Sequence, residues 1–179
     1  MGIRRTFPLR DGRQAIVRDA LPADATAWIA NLNAVGAEGR YVMTEVFART
    51  REEIETQFKA TDPTHQLWLV AEVDGHVIGG ANASRGRHSK NAHSAELGVS
   101  VLREYRGLGI GRALMEAIIA WGRELGLAKL RLGVFATNAP AIGLYEKLGF
   151  REEGRLRKEV RIDGAYVDEV LMALWLRTV

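Results

Sequence analysis

Glu96-Leu97-Gly98-Val99-Ser100-Val101, then Leu102-Arg103-Glu104-Tyr105, then Arg106-Gly107-Leu108-Gly109-Ile110-Gly111-Arg112 is the stretch that decides the reading. Up to Val101 it reads as a strand, beginning at Ala95. Beyond Gly111, Ala113, Leu114, Ala117, Ile118, Trp121 and Leu125 recur at helical spacing until Gly126 ends the run. Between them lies a loop with glycine at every second position. Glycines free backbone N–H groups to turn toward one point without Cβ obstruction. The helix start adds unpaired donors and a partial positive charge of about 0.5 e. Together they make an anion site suited to phosphate, to which Arg106 is expected to add a fixed cation. The competing reading is that the glycines only let helix and sheet pack closely.

Spacing narrows the phosphate ligand. A dinucleotide fingerprint beginning at Gly107 needs glycine at its sixth position, where Arg112 stands, and an acidic residue about 20 positions on, where Leu127-Ala128-Lys129-Leu130 has none. A nucleoside-triphosphate loop needs Gly-Lys-Ser/Thr, and no such tripeptide occurs.

Outward from this unit, strands and helices mix. Gln14–Arg18 alternates as a strand, and Ala25, Trp28, Ile29, Leu32 and Val35 mark a helix behind Pro22. Thr50-Arg51-Glu52-Glu53 is a capping box for a second helix carrying Ile54 and Phe58. Leu67–Val73 and His76–Ala81 flank Asp74-Gly75 as a β-hairpin, and a second hairpin surrounds Asp163-Gly164. Leu130–Phe135 reads as a strand, and Asn138 caps a helix from Ala139 to Leu148 that Gly149 ends. With no repeat, low-complexity tract or linker, residues 1–179 are expected to form one α/β domain.

Composition excludes several classes. The 179 residues are 47% hydrophobic and 26% charged, so the chain is neither disordered nor collagen-like. Cysteine is absent, which removes disulfide and thiolate chemistry and fits a reducing compartment. The net charge of +3 is a weak signal for nucleic acid, and the basic run Arg85-Gly86-Arg87-His88-Ser89-Lys90 lacks interleaved aromatics. No apolar run approaches a membrane span, and none follows Arg4-Arg5 as an export signal would require. Neither nucleic acid nor membrane is expected as a partner, and a cytoplasmic location is. The histidines at 65, 76, 88 and 93 have no metal-ligand spacing, so no metal is expected.

Arg106-Gly107-Leu108-Gly109-Ile110-Gly111 matches the Q/R-x-x-G-x-G/A pyrophosphate loop of the GCN5-related N-acetyltransferase superfamily. Asn138-Ala139-Pro140-Ala141-Ile142-Gly143-Leu144-Tyr145-Glu146-Lys147-Leu148-Gly149-Phe150 resembles a second segment of that family, and Glu96–Val101 resembles its fourth strand. The resemblance implies a mixed, mostly antiparallel sheet of about seven strands with about four flanking helices, split in a V between the fourth and fifth strands, Ala95–Val101 and Leu130–Phe135. It implies acetyl-CoA as co-substrate, with the pantetheine arm along Val99, Ser100 and Val101. The pyrophosphate would sit on the amides of Gly107, Leu108, Gly109, Ile110, Gly111 and Arg112, and Asn138 would touch the pantetheine.

The implied activity is transfer of acetyl to a primary amine of a small molecule such as an amino acid or polyamine. A protein or peptide acceptor, or a non-catalytic acyl-CoA-binding module, are the alternatives, and a homodimer is possible on the family's pattern. Tyr145 stands where the family tyrosine protonates the departing thiolate, and a phenol of pKa about 10 carries that proton at pH 7. A lysine-like amine, with pKa about 10.4, must lose a proton before it attacks. Glu96 is the residue expected to take it. Ribosomal-protein acetyltransferases place a Glu on the fifth strand where this chain has Gly133, which counts against that role. Asp168, in the final hairpin, could line the acceptor site, or be an ordinary strand-end carboxylate.

Overall fold

The computed structural model describes residues 2–177. Eight strands form one sheet: β1 (Arg4–Pro8), β2 (Gln14–Asp19), β3 (Gln66–Val73), β4 (His76–Arg85), β5 (Ser94–Val101), β6 (Lys129–Phe135), β7 (Arg151–Ile162) and β8 (Ala165–Trp175). Their spatial order is β1-β2-β3-β4-β5-β6-β8-β7, and all neighbours are antiparallel except β5 and β6. Four α-helices flank the sheet: α1 (Ala25–Gly36), α2 (Arg51–Lys59), α3 (Ile110–Glu124) and α4 (Ala139–Lys147). The count of helices agrees with the sequence reading, and the strands exceed it by one. Strand β1 went unread because Arg4–Pro8 is short, largely exposed and ends in proline; as an edge strand it needs neither a buried face nor every N–H.

Both hairpin turns form where the Asp-Gly pairs stand. Asp74 and Gly75 take φ of 51° and 79°, and Asp163 and Gly164 take 50° and 83°, the paired positive values that a two-residue turn needs to match strand twist. Thr50 caps α2, accepting from the Glu53 amide at 3.3 Å, while the Glu53 carboxylate accepts from the Thr50 amide at 2.7 Å.

The sheet has two differently covered faces. On one, α3 contributes Leu114, Ile118 and Trp121 to a core with Leu69, Ile78, Leu130 and Phe150. On the other, α1 and α2 close a smaller aromatic core of Trp28, Ile54, Phe58 and Val70. Trp28 meets Phe58 and Trp68 edge-on, with centroids 5.8 and 5.4 Å away, and lies so close over Gly80 that any Cβ there would collide with its ring. At the edge of this face the Arg18 guanidinium donates to Asp24 and Glu72 at 2.7 and 3.0 Å. This aromatic layer stops at β4 and β5; on the same face of β6 and β8, Leu171 is exposed while Phe135 and Ala173 are buried.

The feature that positions the site is the contact between β5 and β6. Only Ser94–Glu96 pair with Lys129–Arg131. Beyond that point β5 follows β4, Gly98 against Asn82 and Val101 against Gly79, while β6 follows β8, Gly133 against Leu171 and Phe135 against Glu169. The two strands diverge and open the V-shaped split that the resemblance implied.

Candidate active site

The glycine loop sits at the open end of β5. A 3-10 turn, Arg103–Tyr105, leads into Arg106, which is extended at φ −72° and ψ 156°. Gly107 and Gly109 follow at φ 75° and 104°. A Cβ at either would meet open space, so the positive φ, and not crowding, requires glycine there. Gly109 is the N-cap of α3, which leaves the amides of Ile110, Gly111 and Arg112 in its first turn without intrahelical acceptors. The loop and helix start thus present a row of backbone donors to solvent.

Arg106, expected to add a fixed cation to the loop, has its guanidinium engaged within the protein. Its Nε donates to the Val101 carbonyl at 2.9 Å, its Nη1 and Nη2 fork onto the Glu38 carboxylate, and the guanidinium lies 4.6 Å from the Tyr41 ring centre. Hydrogen bonding from Arg106 holds the Glu38 carboxyl below its ordinary pKa. The charge is compensated, and Arg106 ties the segment after α1 to the loop.

Strand alternation sorts the remaining residues onto two sides of the split. Val99 and Val101 pack toward the α3 core, whereas Gly98 and Ser100 face α1. Ser100 Oγ donates to Asn31 Oδ1 at 2.8 Å; Asn31 is buried, and its Nδ2 has no partner among the described residues. Asn138 caps α4, its Oδ1 accepting from the Ala141 amide at 3.3 Å. Tyr145 comes from α4 on the α3 side, only 7% exposed, with its ring centre 6.0 Å from that of Phe150. Burial pushes its phenol up to about 12, so it holds its proton at any physiological pH.

Carboxylates occupy the other side. Glu96 is exposed and accepts from Arg131 Nη2 at 2.8 Å across the last paired rung of β5 and β6. Both border a cavity of about 580 Å³ with Asn82, Ser84, Gly98 and Met43. Asp168, which the sequence offered for the acceptor site, lies on the opposite face of β8, where it accepts from the Lys158 amide at 2.9 Å and meets Arg155 at 3.7 Å. Its neighbour Glu169, unremarked in the sequence, points the other way, over Gly133, where a Cβ would run into its carboxylate. Period-two alternation along β8 could have separated the pair, but the strand order that brings β8 beside β6 is not written in any local pattern.

A family model described as the acetyltransferase (GNAT) family matches residues 30–150. The chain is 36% identical over 106 residues to an L-amino acid N-acetyltransferase of Escherichia coli K12, a match covering 59% of this chain and 65% of that protein. It spans less than two thirds of the length of the first curated relatives it matches. Among solved structures, a GNAT-family acetyltransferase from Streptococcus pneumoniae superposes with a TM-score of 0.84 at 29% identity, covering 90% of this chain and 99% of that one. A yncA protein from Salmonella typhimurium, solved with its cofactor acetyl-CoA, superposes at 0.81 over 91% of this chain and 94% of its own; at 23% identity it shares the fold. A sheet split between β5 and β6, a glycine loop opening α3 and a family model covering most of both halves make one conclusion: this chain belongs to the GNAT acetyltransferase family.

Proposed function

We propose that the protein is an acetyl-CoA-dependent N-acetyltransferase that acylates the primary amine of a small molecule. The observation that carries this reading is the two-sided split: a protonated phenol and a cradle of amides on the α3 side, and on the α1 side a cavity bordered by the Glu96–Arg131 pair. Acetyl-CoA would lay its pyrophosphate on the amides from Gly107 to Arg112 and its pantetheine along Val99–Val101, near Asn138, so that the thioester reaches the split. The cavity of about 580 Å³ suits a small acceptor, and the amino-acid acetyltransferase relative points to the same class.

In the proposed reaction the acceptor ammonium loses a proton to the carboxylates around Glu96, and its lone pair attacks the thioester carbonyl. The C–S bond then breaks, and Tyr145 supplies a proton to the leaving sulfur. A cysteine-free chain suits the reducing cytoplasm, where the same reading places it. The test is an acetylation screen over amino acids, polyamines and peptides, reading free CoA and the product mass. Acetylation of small amines supports the proposal. Transfer to peptides alone shifts it to a protein acceptor, and CoA binding without transfer to any amine reduces the protein to a binding module.

A further inference from the structure

We infer that Glu169, reaching across from β8, is the group that takes the proton from the acceptor amine, with Glu96 and Arg131 holding the acceptor beside it. The inference rests on the acetyl-transfer reading and concerns which atom on the α1 side does the acid–base work. Three placements carry it. Glu169 pairs with Phe135, and Leu171 with Gly133, so alternation puts Glu169 on the same face of the sheet as Gly133 and Arg131. Arg131 in turn pairs with Glu96, so Glu96 shares that face. The Glu169 carboxylate then folds over Gly133, filling the space that a side chain of β6 itself would take. Gly133 lies two residues past Arg131, the last residue of β6 to pair with β5, so this carboxylate sits at the point where the strands part.

The charges around Glu169 suit a proton acceptor. Burial comes first among the causes that raise its pKa, followed by the negative charges of Glu159 from β7 and Glu96 from β5. Of the cations on that face of β6, Arg131 is engaged by Glu96 at 2.8 Å and Lys129 by Glu153. Asp168 and Arg155 pair on the opposite face of β8. A carboxylate so raised is a stronger base than an exposed one. Glu96 is more than half exposed and already paired with Arg131, so it is the poorer proton acceptor, and the pair offers the acceptor one group of each charge.

The step balances as follows. One N–H proton of the acceptor ammonium passes to the Glu169 carboxylate, and the nitrogen lone pair forms the N–C bond at the thioester carbonyl. When the C–S bond breaks, Tyr145 gives its proton to the CoA sulfur, and the excess proton leaving the nitrogen passes through solvent to restore the phenol. Glu169 then returns its proton to water.

The test is the pH profile of kcat/KM with an amine found by the acetylation screen. Glu169→Gln should lower kcat by about 10²–10⁴-fold and remove the acidic limb, while acetyl-CoA affinity stays unchanged. Glu159→Gln removes a charge that raises Glu169, so its acidic limb should move to lower pH at an unchanged plateau, a shift that a purely structural role of Glu169 would not produce. Carboxyl carbon NMR of the unliganded protein should show Glu169 titrating above the ordinary carboxylate range, whatever the acceptor. If Glu169→Gln keeps both rate and acidic limb while Glu96→Gln loses them, Glu96 is the base; this inference is overturned and acetyl transfer stands. If the wild-type protein binds acetyl-CoA but acetylates no amine, the functional reading fails and takes the inference with it.

Discussion

Tyr145 joins two consequences of burial in one side chain. The low-dielectric surroundings keep its phenol protonated, and they also make stability depend on pH. An unfolded tyrosine titrates near 10 and this one at about 12, so the folded state holds its proton longer. The contribution is therefore complete below about pH 10 and is lost as pH rises toward 12, by roughly 3 kcal/mol in all. Tyr145→Phe should remove that alkaline loss, measured as the difference between the two proteins' denaturation midpoints at pH 9 and pH 11.5. The same variant should lower turnover with acetyl-CoA by about 10²–10⁴-fold at near-normal CoA affinity, and an acyl donor with a much more acidic thiol should restore most of the rate. Full activity with acetyl-CoA would place Tyr145 in the packing alone. At Gly109 the decisive quantity is φ, 104°. Gly109→Val would force the α3 N-cap out of that conformation, and calorimetry should show a large loss of CoA affinity. Unchanged affinity would remove the loop from the site.

At the scale of elements, caps and turns decide where each piece begins, and the chemistry is local enough to be read in order. The Thr50–Glu53 capping box starts α2 whatever lies around it, so Thr50→Ala should cost about 1 kcal/mol in urea unfolding. A loss below about 0.3 kcal/mol would mean that packing of Ile54 and Phe58 holds the helix start without its cap. The Asp-Gly turns and the glycine-opened α3 are of the same kind. Strand β1 is not: five mostly exposed residues ending in proline carry no periodic signal, and they become a strand because β2 offers an edge. Arg106 shows the other limit of local reading. The motif names the residue, but its guanidinium goes to Glu38, 68 positions away in the chain.

Across the whole molecule, the sheet separates two tasks. The α3 face carries the larger core together with the glycine loop and Tyr145, and the α1 face carries the aromatic core and the carboxylates. Trp28 is the keystone of the second core, touching Phe58, Trp68 and the backbone at Gly80. Trp28→Ala should cost roughly 3–5 kcal/mol in denaturant unfolding. Because Asn31, one turn along α1, bonds Ser100, the variant should also raise the acceptor KM more than the CoA Kd; equal changes would show that the faces are not independent. The family, the loop, Tyr145 and the alternation of helices and strands were legible in the chain because each depends on neighbours within one turn or one motif. Where β5 and β6 part, where the Arg106 charge is spent and which carboxylate stands over Gly133 were not. Those depend on β8 inserting between β6 and β7 and on α1 closing over β5, long-range pairings that put Glu169 beside residues 36 and 73 positions earlier in the chain. Period-two alternation says that Asp168 and Glu169 face opposite ways, but only packing against a particular neighbour says which of them meets the split.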